Sequence, residues 1–189
     1  MNAILPILED TRHKVTVDEV MELVRAGFFE DAGRIELIEG VIVEMAAEGS
    51  RHGEMKMRLG DAIYDCLDKS SHRRFIDTTL ILAPDQAPSP DIFVCREGVP
   101  LAELKADDVS LIIEVADTSL QKDRDGKGVI YAKYGIPEYW IADIEHDTVL
   151  VFKCPKDGLY TESETFDFSE MLSCQTLPNL SLRIADLNV

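Results

Sequence analysis

The sequence has no long apolar run, no closely spaced cysteines and few basic residues. No apolar segment approaches the roughly 18 residues that a membrane-spanning helix needs, and residues 1–10 lack the basic start of a secretory signal. Cys66, Cys95, Cys154 and Cys174 form no Cys-x-x-Cys pair, so free thiols are expected rather than disulfides or zinc. These absences predict a cytoplasmic protein without a membrane segment.

The shortage of basic residues also bears on possible partners. The chain has 19 Lys and Arg residues against 36 Asp and Glu, a net charge of −17. A protein that binds nucleic acid through many phosphates usually has a basic surface. The composition therefore argues mildly against a nucleic-acid partner, unless the positive residues gather on one face.

The length of 189 residues fits one domain with a core large enough to need no disulfide. Neither a repeat nor a low-complexity tract nor a long linker interrupts the chain. We therefore expect a single domain over residues 1–189, in which residues 156–189 add strands to the core.

The first half of the chain has clear helix and hairpin signals. Thr16-Val17-Asp18-Glu19 is a capping-box pattern that predicts a helix to about Ala26, ended by Gly27. Its buried face is predicted from four apolar residues at helical spacing: Val17, Val20, Met21 and Val24. Alternating charged and apolar residues over 34–45 predict a β-hairpin that turns at Glu39-Gly40.

The remaining elements alternate between helices and strands. Helices are predicted over residues 51–68 and from 117 to about 134. Strands are predicted over residues 74–82, 92–95, 109–115, 138–143, 149–153, 159–164 and 180–184. The pattern predicts an α/β fold in which a central mixed β-sheet is flanked by helices, with an N-terminal helix and β-hairpin.

Two carboxylates occur where the sequence is otherwise apolar. Glu114 lies inside a strand of large apolar residues, and Asp91 follows Pro90 at the start of another buried strand. If the strands are neighbours, the two carboxylates converge, and a divalent cation would relieve their repulsion. Hard oxygen ligands suit Mg²⁺ or Mn²⁺. A structural alternative stays open, in which Asp91 caps a turn and Glu114 pairs with an interior Lys or Arg.

Four stretches of this sequence resemble a known family: RIELIEGVIVE (34–44), Ser50-Arg51-His52, PSPDIFV (88–94) and IEVADTSLQKDRDGKGVIYAKYGIPEYWIAD (113–143). They are similar to the Uma-two family of bacterial restriction-endonuclease-like proteins, within the PD-(D/E)XK nuclease superfamily. The resemblance implies a restriction-endonuclease-like core over about residues 14–155 and a metal-dependent nuclease site.

The lysine of the superfamily pattern is displaced in this chain. It normally lies two residues after the strand acid, where this sequence has Ala116. The resemblance implies that Lys127, on the following helix, replaces it, and Lys122 is the competing candidate. The chemistry requires a cation beside the attacking water and the transition-state phosphate, whatever the spacing. The alternative is that Lys127 is a solvated helix lysine.

Three further residues are candidates for the site. The resemblance implies that Glu36, in the hairpin, is a third metal ligand. His52 and Arg51 lie at the start of the second helix, where they would contact phosphate or a site carboxylate. A capping or packing role for His52 is equally compatible with the sequence.

These observations lead to the hypothesis of an Mg²⁺- or Mn²⁺-dependent endonuclease that hydrolyses phosphodiesters in DNA, with a homodimer expected because many superfamily members dimerise. Asp91, Glu114 and Glu36 would bind the metal, and Lys127 would act on the water. Two alternatives remain: a catalytically silent binding or regulatory module, and a hydrolase of RNA or small phosphodiesters. The net charge favours both.

Overall fold

The N-terminal helix begins at the predicted capping box. In this computed structural model, which describes residues 13–117 and 119–187, α1 spans Val17–Arg25. The Thr16 hydroxyl accepts a hydrogen bond from the Glu19 backbone, and the Glu19 carboxylate accepts one from the Thr16 backbone. The chain leaves the helix at Gly27, whose φ is +78°. Both predicted ends are therefore confirmed to within about one residue.

The predicted buried face of α1 is wrong. No residue of this helix is buried, and Met21 and Val24 are 45% and 47% exposed. Backbone hydrogen bonds on either side of the cap attach the helix, from Val15 to Gly40 and from Val17 to Pro84. An amphipathic pattern identifies the apolar side of a helix, but it does not show that the same chain covers that side.

The predicted hairpin follows α1. Strands β1 (Ile35–Ile38) and β2 (Val41–Glu44) pair antiparallel, with Ile38 opposite Val41. The two turn residues, Glu39 and Gly40, have φ of +51° and +79°. A two-residue turn with both φ positive has the twist that strand pairs prefer.

The central sheet has six strands in the order β3-β4-β5-β6-β7-β8. Only the β5–β6 pair within it is parallel. The strands are β3 (His72–Ile76), β4 (Ile92–Arg96), β5 (Val109–Ala116), β6 (Glu138–Asp143), β7 (Thr148–Lys156) and β8 (Leu159–Asp167). A short pair, β9 (Leu172–Ser173) and β10 (Ser181–Leu182), follows the sheet. The mixed α/β architecture predicted from the sequence is confirmed.

Strand β3 is shorter than predicted and begins earlier. The sequence predicted residues 74–82, but the strand ends at Ile76 because Asp77 has a φ of +51° and leaves the extended conformation. Beyond it, Leu80 and Leu82 donate backbone hydrogen bonds to Pro88 and Gln86. This apolar segment, whose residues favour β-strands, therefore forms a tight local turn instead of a strand of the sheet.

Helices cover both faces of the sheet. On one face, α2 (Ser50–Cys66) packs Met55, Leu59 and Ile63 against Trp140 and its neighbours. On the other face, Tyr131 packs among residues that include Tyr139. Because successive side chains of a strand point to opposite faces, the adjacent residues Tyr139 and Trp140 contribute to different core clusters.

The helix predicted after β5 is interrupted by a π-helical turn. It consists of α3 (Leu120–Lys122), the π-turn (Asp123–Lys127) and α4 (Gly128–Lys133), and Gly135 then takes a φ of +76°. Such turns insert one residue into a helix and are frequent at functional sites. The apolar pattern did not predict it.

Across the described ranges, no helix is both long enough and apolar enough to cross a membrane. Cys66, Cys95, Cys154 and Cys174 all have free thiols.

Candidate active site

The register of β4 against β5 brings the two predicted carboxylates together. Ile92 pairs with Ile113, so the preceding residue, Asp91, lies opposite Glu114. Hydrogen bonds from backbone amides also reach the carboxylates of both residues. The Asp91 amide donates to Glu114 Oε2 over 3.3 Å, and the Val115 amide donates to Asp91 Oδ2 over 2.8 Å. Both side chains are buried, so these bonds fix their positions.

Lys127 reaches the carboxylates from the last position of the π-turn. Its Nζ lies 3.0 Å from Glu114 Oε1 and 3.1 Å from Glu36 Oε1, and the residue is only 7% exposed. It is therefore not a solvated helix lysine. Ala116, at the usual lysine position, is fully buried in the strand.

Glu36 lies in the same cluster and is anchored by backbone. The Ser89 amide donates to Glu36 Oε1 over 2.8 Å, the same oxygen that Lys127 contacts. Leu37, the next residue of β1, exchanges backbone hydrogen bonds with Ala87. The hairpin is therefore held against the segment before Asp91, which brings Glu36 to the other carboxylates.

Tyr131 is a site residue that the sequence did not reveal. Its hydroxyl donates to Glu114 Oε1 over 2.8 Å, and the ring is fully buried. Lys127 and Tyr131 lie one helical turn apart and therefore share one side of the helical segment. They occupy the same carboxylate oxygen, which leaves Glu114 Oε2 beside Asp91. The i,i+4 spacing of the two residues was the available signal, but it equally fits a core tyrosine.

His52 contacts the site from the first turn of α2. Its Nε2 lies 3.2 Å from Asp91 Oδ2, and its Nδ1 lies 3.5 Å from Glu48. Neighbouring Lys56 is buried and lies 3.8 Å from Asp91 Oδ1. A side chain that contacts two carboxylates is not a simple helix cap.

Of the other two candidates from the sequence, Arg51 is not brought to the carboxylates. Arg51 is exposed and pairs with Asp147 over 3.6 Å, because it points away from the face that His52 uses. The side chain of Lys122 lies outside the part of the structure that is described.

Most of the clustered side chains line a cleft of about 190 Å³. Its walls include the six carboxylates of Glu36, Glu48, Asp91, Glu114, Asp117 and Asp123, and the basic side chains of His52 and Lys127. Asp123 was not predicted as a site residue; it is buried and accepts a hydrogen bond from the Ser119 hydroxyl over 2.5 Å. Its position four residues before Lys127 was the available signal.

The protonation of the cluster follows from burial and the excess of carboxylates. Burial raises the pKa of Glu114 to about 8, although Lys127 opposes that shift. Burial would lower the pKa of Lys127, but Glu114 and Glu36 hold it above its ordinary value. Burial would also raise the pKa of Asp91, yet the hydrogen bond from His52 keeps it below the usual range. Burial therefore favours the protonated form of Glu114, whereas the neighbouring carboxylates favour the charged form of Lys127.

The donor set fits a hard divalent cation. Carboxylate oxygens of Asp91, Glu114 and Glu36 are ligands that Mg²⁺ and Mn²⁺ prefer. Glu48, His52 and Asp91 also offer one ligand atom each within 4.8 Å of one another. A buried ammonium accompanies each group of ligands, Lys56 at Glu48 and Lys127 at Glu36 and Glu114. The two groups share Asp91.

Comparison with known proteins identifies the family. The Uma2 family model, described as "Putative restriction endonuclease", matches residues 17–185. A crystal structure described as "a putative nuclease belonging to DUF820" from Anabaena variabilis ATCC 29413 is 20% identical, with a TM-score of 0.68 over 92% of this chain and 97% of that one. At this identity the similarity establishes the fold. Among curated proteins, none matches. The chain belongs to the Uma2 family of restriction-endonuclease-like proteins.

Proposed function

We propose that this protein is a divalent-metal-dependent endonuclease that hydrolyses phosphodiester bonds, with DNA as its substrate. The observation that carries the proposal is the meeting of Asp91, Glu114 and Lys127 in one cleft, although they lie on three different elements. Membership of a family described as restriction endonucleases supports the same reaction.

Asp91 and Glu114 are the proposed ligands of Mg²⁺ or Mn²⁺, and Glu36 assists them directly or through water. A bound metal would supply a polarised phosphoryl oxygen and an attacking water of lowered pKa. The protein's own contribution is to fix the two carboxylates by their backbone hydrogen bonds before substrate arrives. Such preorganisation reduces the reorganisation needed at the moment of reaction.

Lys127 is the proposed cation for the reacting phosphate. Its ammonium is shared between Glu36 and Glu114. A metal held by those carboxylates would leave the charge of Lys127 available to orient the water and to stabilise the additional negative charge on the phosphate. A lysine in this environment stays protonated, because its pKa lies above the ordinary value even after the opposing effect of burial.

Two conservative substitutions test the metal ligands. Asp91→Asn and Glu114→Gln keep the side-chain volume, and we expect each to reduce cleavage of plasmid DNA in Mg²⁺ or Mn²⁺ by about 1,000-fold or more. Glu54→Gln, which changes an exposed glutamate of α2 by the same charge, is the matched control and should cleave normally. Cleavage at the normal rate by both site variants would rule out this mechanism.

The acidic cleft favours a second candidate within the same chemistry. Among the described residues, six carboxylates and two basic side chains line it, so a long duplex gains little electrostatic attraction there. A hydrolase of RNA or of small phosphodiesters is therefore the second candidate. A panel of duplex DNA, single-stranded DNA, RNA and bis(p-nitrophenyl) phosphate, each with Mg²⁺ and Mn²⁺, distinguishes them.

Cytoplasmic location and a homodimer remain part of the proposal, and light scattering tests the dimer.

A further inference from the structure

A second group of charges lies beside the catalytic carboxylates, around Glu48. Arg34 Nη1 lies 2.9 Å from Glu48 Oε1, His52 Nδ1 lies 3.5 Å from Oε2, and Lys56 Nζ also contacts Oε2. We propose that Arg34, His52 and Lys56 form a binding site for a backbone phosphate of nucleic acid, an inference that rests on the phosphodiester substrate proposed above. Glu48 occupies this phosphate subsite when substrate is absent.

The subsite has more hydrogen-bonding capacity than Glu48 fills. Within the described residues, Arg34 Nη2 and His52 Nδ1 are buried nitrogens without a hydrogen-bond partner. Lys56, whose side chain is only 6% exposed, cannot turn away into solvent. A phosphodiester has more oxygen atoms than a carboxylate and binds well to guanidinium and ammonium groups. A phosphate would therefore use donors that the glutamate leaves unsatisfied.

Glu48 is well placed to leave when a phosphate arrives. It lies in the irregular segment 45–49 between β2 and α2, which also contains Ala46, Ala47 and Gly49, and its side chain is 30% exposed. Gly49 is the N-cap of α2 and has no side chain to bond the first backbone amides of the helix. The positive end of this helix therefore also faces that segment. Because the Glu48 side chain is already 30% exposed, turning its carboxylate outward restores hydration, which offsets part of the lost ion pairing.

The basic residues keep a partner after Glu48 leaves. Asp77 Oδ1 lies 2.7 Å from both Arg34 and Lys56, and it holds them in place from the other side. The subsite also adjoins the proposed metal ligands, since His52 and Lys56 both approach Asp91. A phosphate bound there would neighbour the reacting phosphodiester. After Glu48 leaves, Arg34 and Lys56 still face the carboxylates of Asp77 and Asp91, so a bound phosphate replaces the negative charge of Glu48 rather than adding a new one.

Binding measured in EDTA tests the subsite independently of metal and cleavage. The probes are a fluorescein-labelled 12-base-pair DNA duplex, followed by anisotropy, and inorganic phosphate, followed by calorimetry. We expect Glu48→Gln to lower the Kd for the duplex by about three- to tenfold, because a competing carboxylate is lost. Arg34→Gln should raise that Kd by about tenfold, because a phosphate donor is lost. Glu54→Gln removes the same charge from an exposed site and should change it by less than about twofold.

Equal Kd values for Glu48→Gln and Glu54→Gln, or weaker binding by Glu48→Gln, would overturn the proposal, since a structural role for Glu48 predicts no gain. A gain for inorganic phosphate alone would overturn the assignment to nucleic acid. If the variants show the expected Kd values but the wild-type protein does not cleave, the subsite proposal stands and the nuclease proposal fails. Cleavage lost in Asp91→Asn, with binding unchanged in Glu48→Gln, would overturn only the subsite.

Discussion

Glu114 is the residue on which the site depends most, because three donors converge on its two oxygens. Lys127 and Tyr131 occupy Oε1, and the Asp91 amide reaches Oε2. A carboxylate inside an apolar strand requires such partners. The same contacts orient the second oxygen toward Asp91, so the stabilising contacts also preorganise the proposed metal site.

Removing the Tyr131 hydroxyl should weaken this arrangement measurably. We expect Tyr131→Phe to lower the free energy of unfolding by about 1–3 kcal/mol, because Glu114 loses a buried hydrogen bond. Urea denaturation in EDTA measures the effect. Tyr134→Phe is the control at the end of α4, and it should cost less than about 0.5 kcal/mol. Equal losses in the two variants would contradict the role given to Tyr131.

Metal affinity should increase with pH. The pKa of Glu114 is raised to about 8 in the metal-free protein, chiefly by burial, so a proton must leave before this carboxylate binds a cation. Below that pH the affinity for Mn²⁺ should rise by about tenfold per pH unit, and it should level off above it. Calorimetry between pH 6 and pH 9 provides the measurement.

A pH-independent Mn²⁺ affinity would show that Glu114 carries no proton to displace. The Glu114→Gln variant has no such proton, so its weaker binding should lack the transition near pH 8.

The hairpin of β1 and β2 determines where Glu36 lies, and Gly40 shapes its turn. A Cβ added at Gly40 would lie 2.5 Å from the Lys14 Cβ, and the φ of +79° disfavours any larger residue. We expect Gly40→Ala to lower stability by about 1–3 kcal/mol and to reduce cleavage by displacing Glu36. Gly98→Ala, at a similar φ but in open space, separates backbone strain from the close contact. An equal loss in stability in both variants would show that Lys14 contributes nothing.

The sequence predicted the strands that carry the carboxylates because apolar runs and hydrophobic periodicity are local. Asp91 and Glu114 stood out because each interrupts such a run. The π-turn could not be predicted in this way, since one inserted residue barely changes the apolar pattern, although it determines where Lys127 points. The resemblance to a family, and not the periodicity, identified that lysine.

The contacts of Glu48, Lys56 and Asp77 were beyond the sequence for another reason. Lys56 lies on the buried side of α2, but its partners are 8 and 21 residues away and belong to segments without regular structure. Charged residues in such segments are ordinarily solvated. The wrong prediction for α1 has a different cause. Periodicity identifies the apolar face of a helix whether or not the chain covers that face.

The described core continues through the whole six-stranded sheet, which supports the proposal of one domain. Trp140 is the single tryptophan and is 1% exposed in β6. We expect its fluorescence and the far-ultraviolet circular dichroism to change at the same urea concentration, as in a two-state transition. Separate midpoints would show that the strands after residue 156 unfold independently.

The net charge of −17 limits how the whole molecule binds nucleic acid. If the phosphate subsite supplies most of the contact, few counterions are released on binding. The slope of log K against log salt should then have a magnitude below about 3, whereas a protein with 6–10 phosphate contacts gives a much steeper one. Anisotropy of the labelled duplex between 50 and 300 mM NaCl measures it. A slope near −6 or steeper would require a basic surface elsewhere.

Lys127 approaches the carboxylates from a helical segment, whereas its two main partners are fixed to strands. The proposed metal ligands and the proposed cation for the phosphate can therefore be separated mechanically. A shift of the π-turn by a few ångströms would withdraw the ammonium and leave the carboxylates in place. In that state the carboxylates could still bind a metal, but the reacting phosphate would lack its proposed cation.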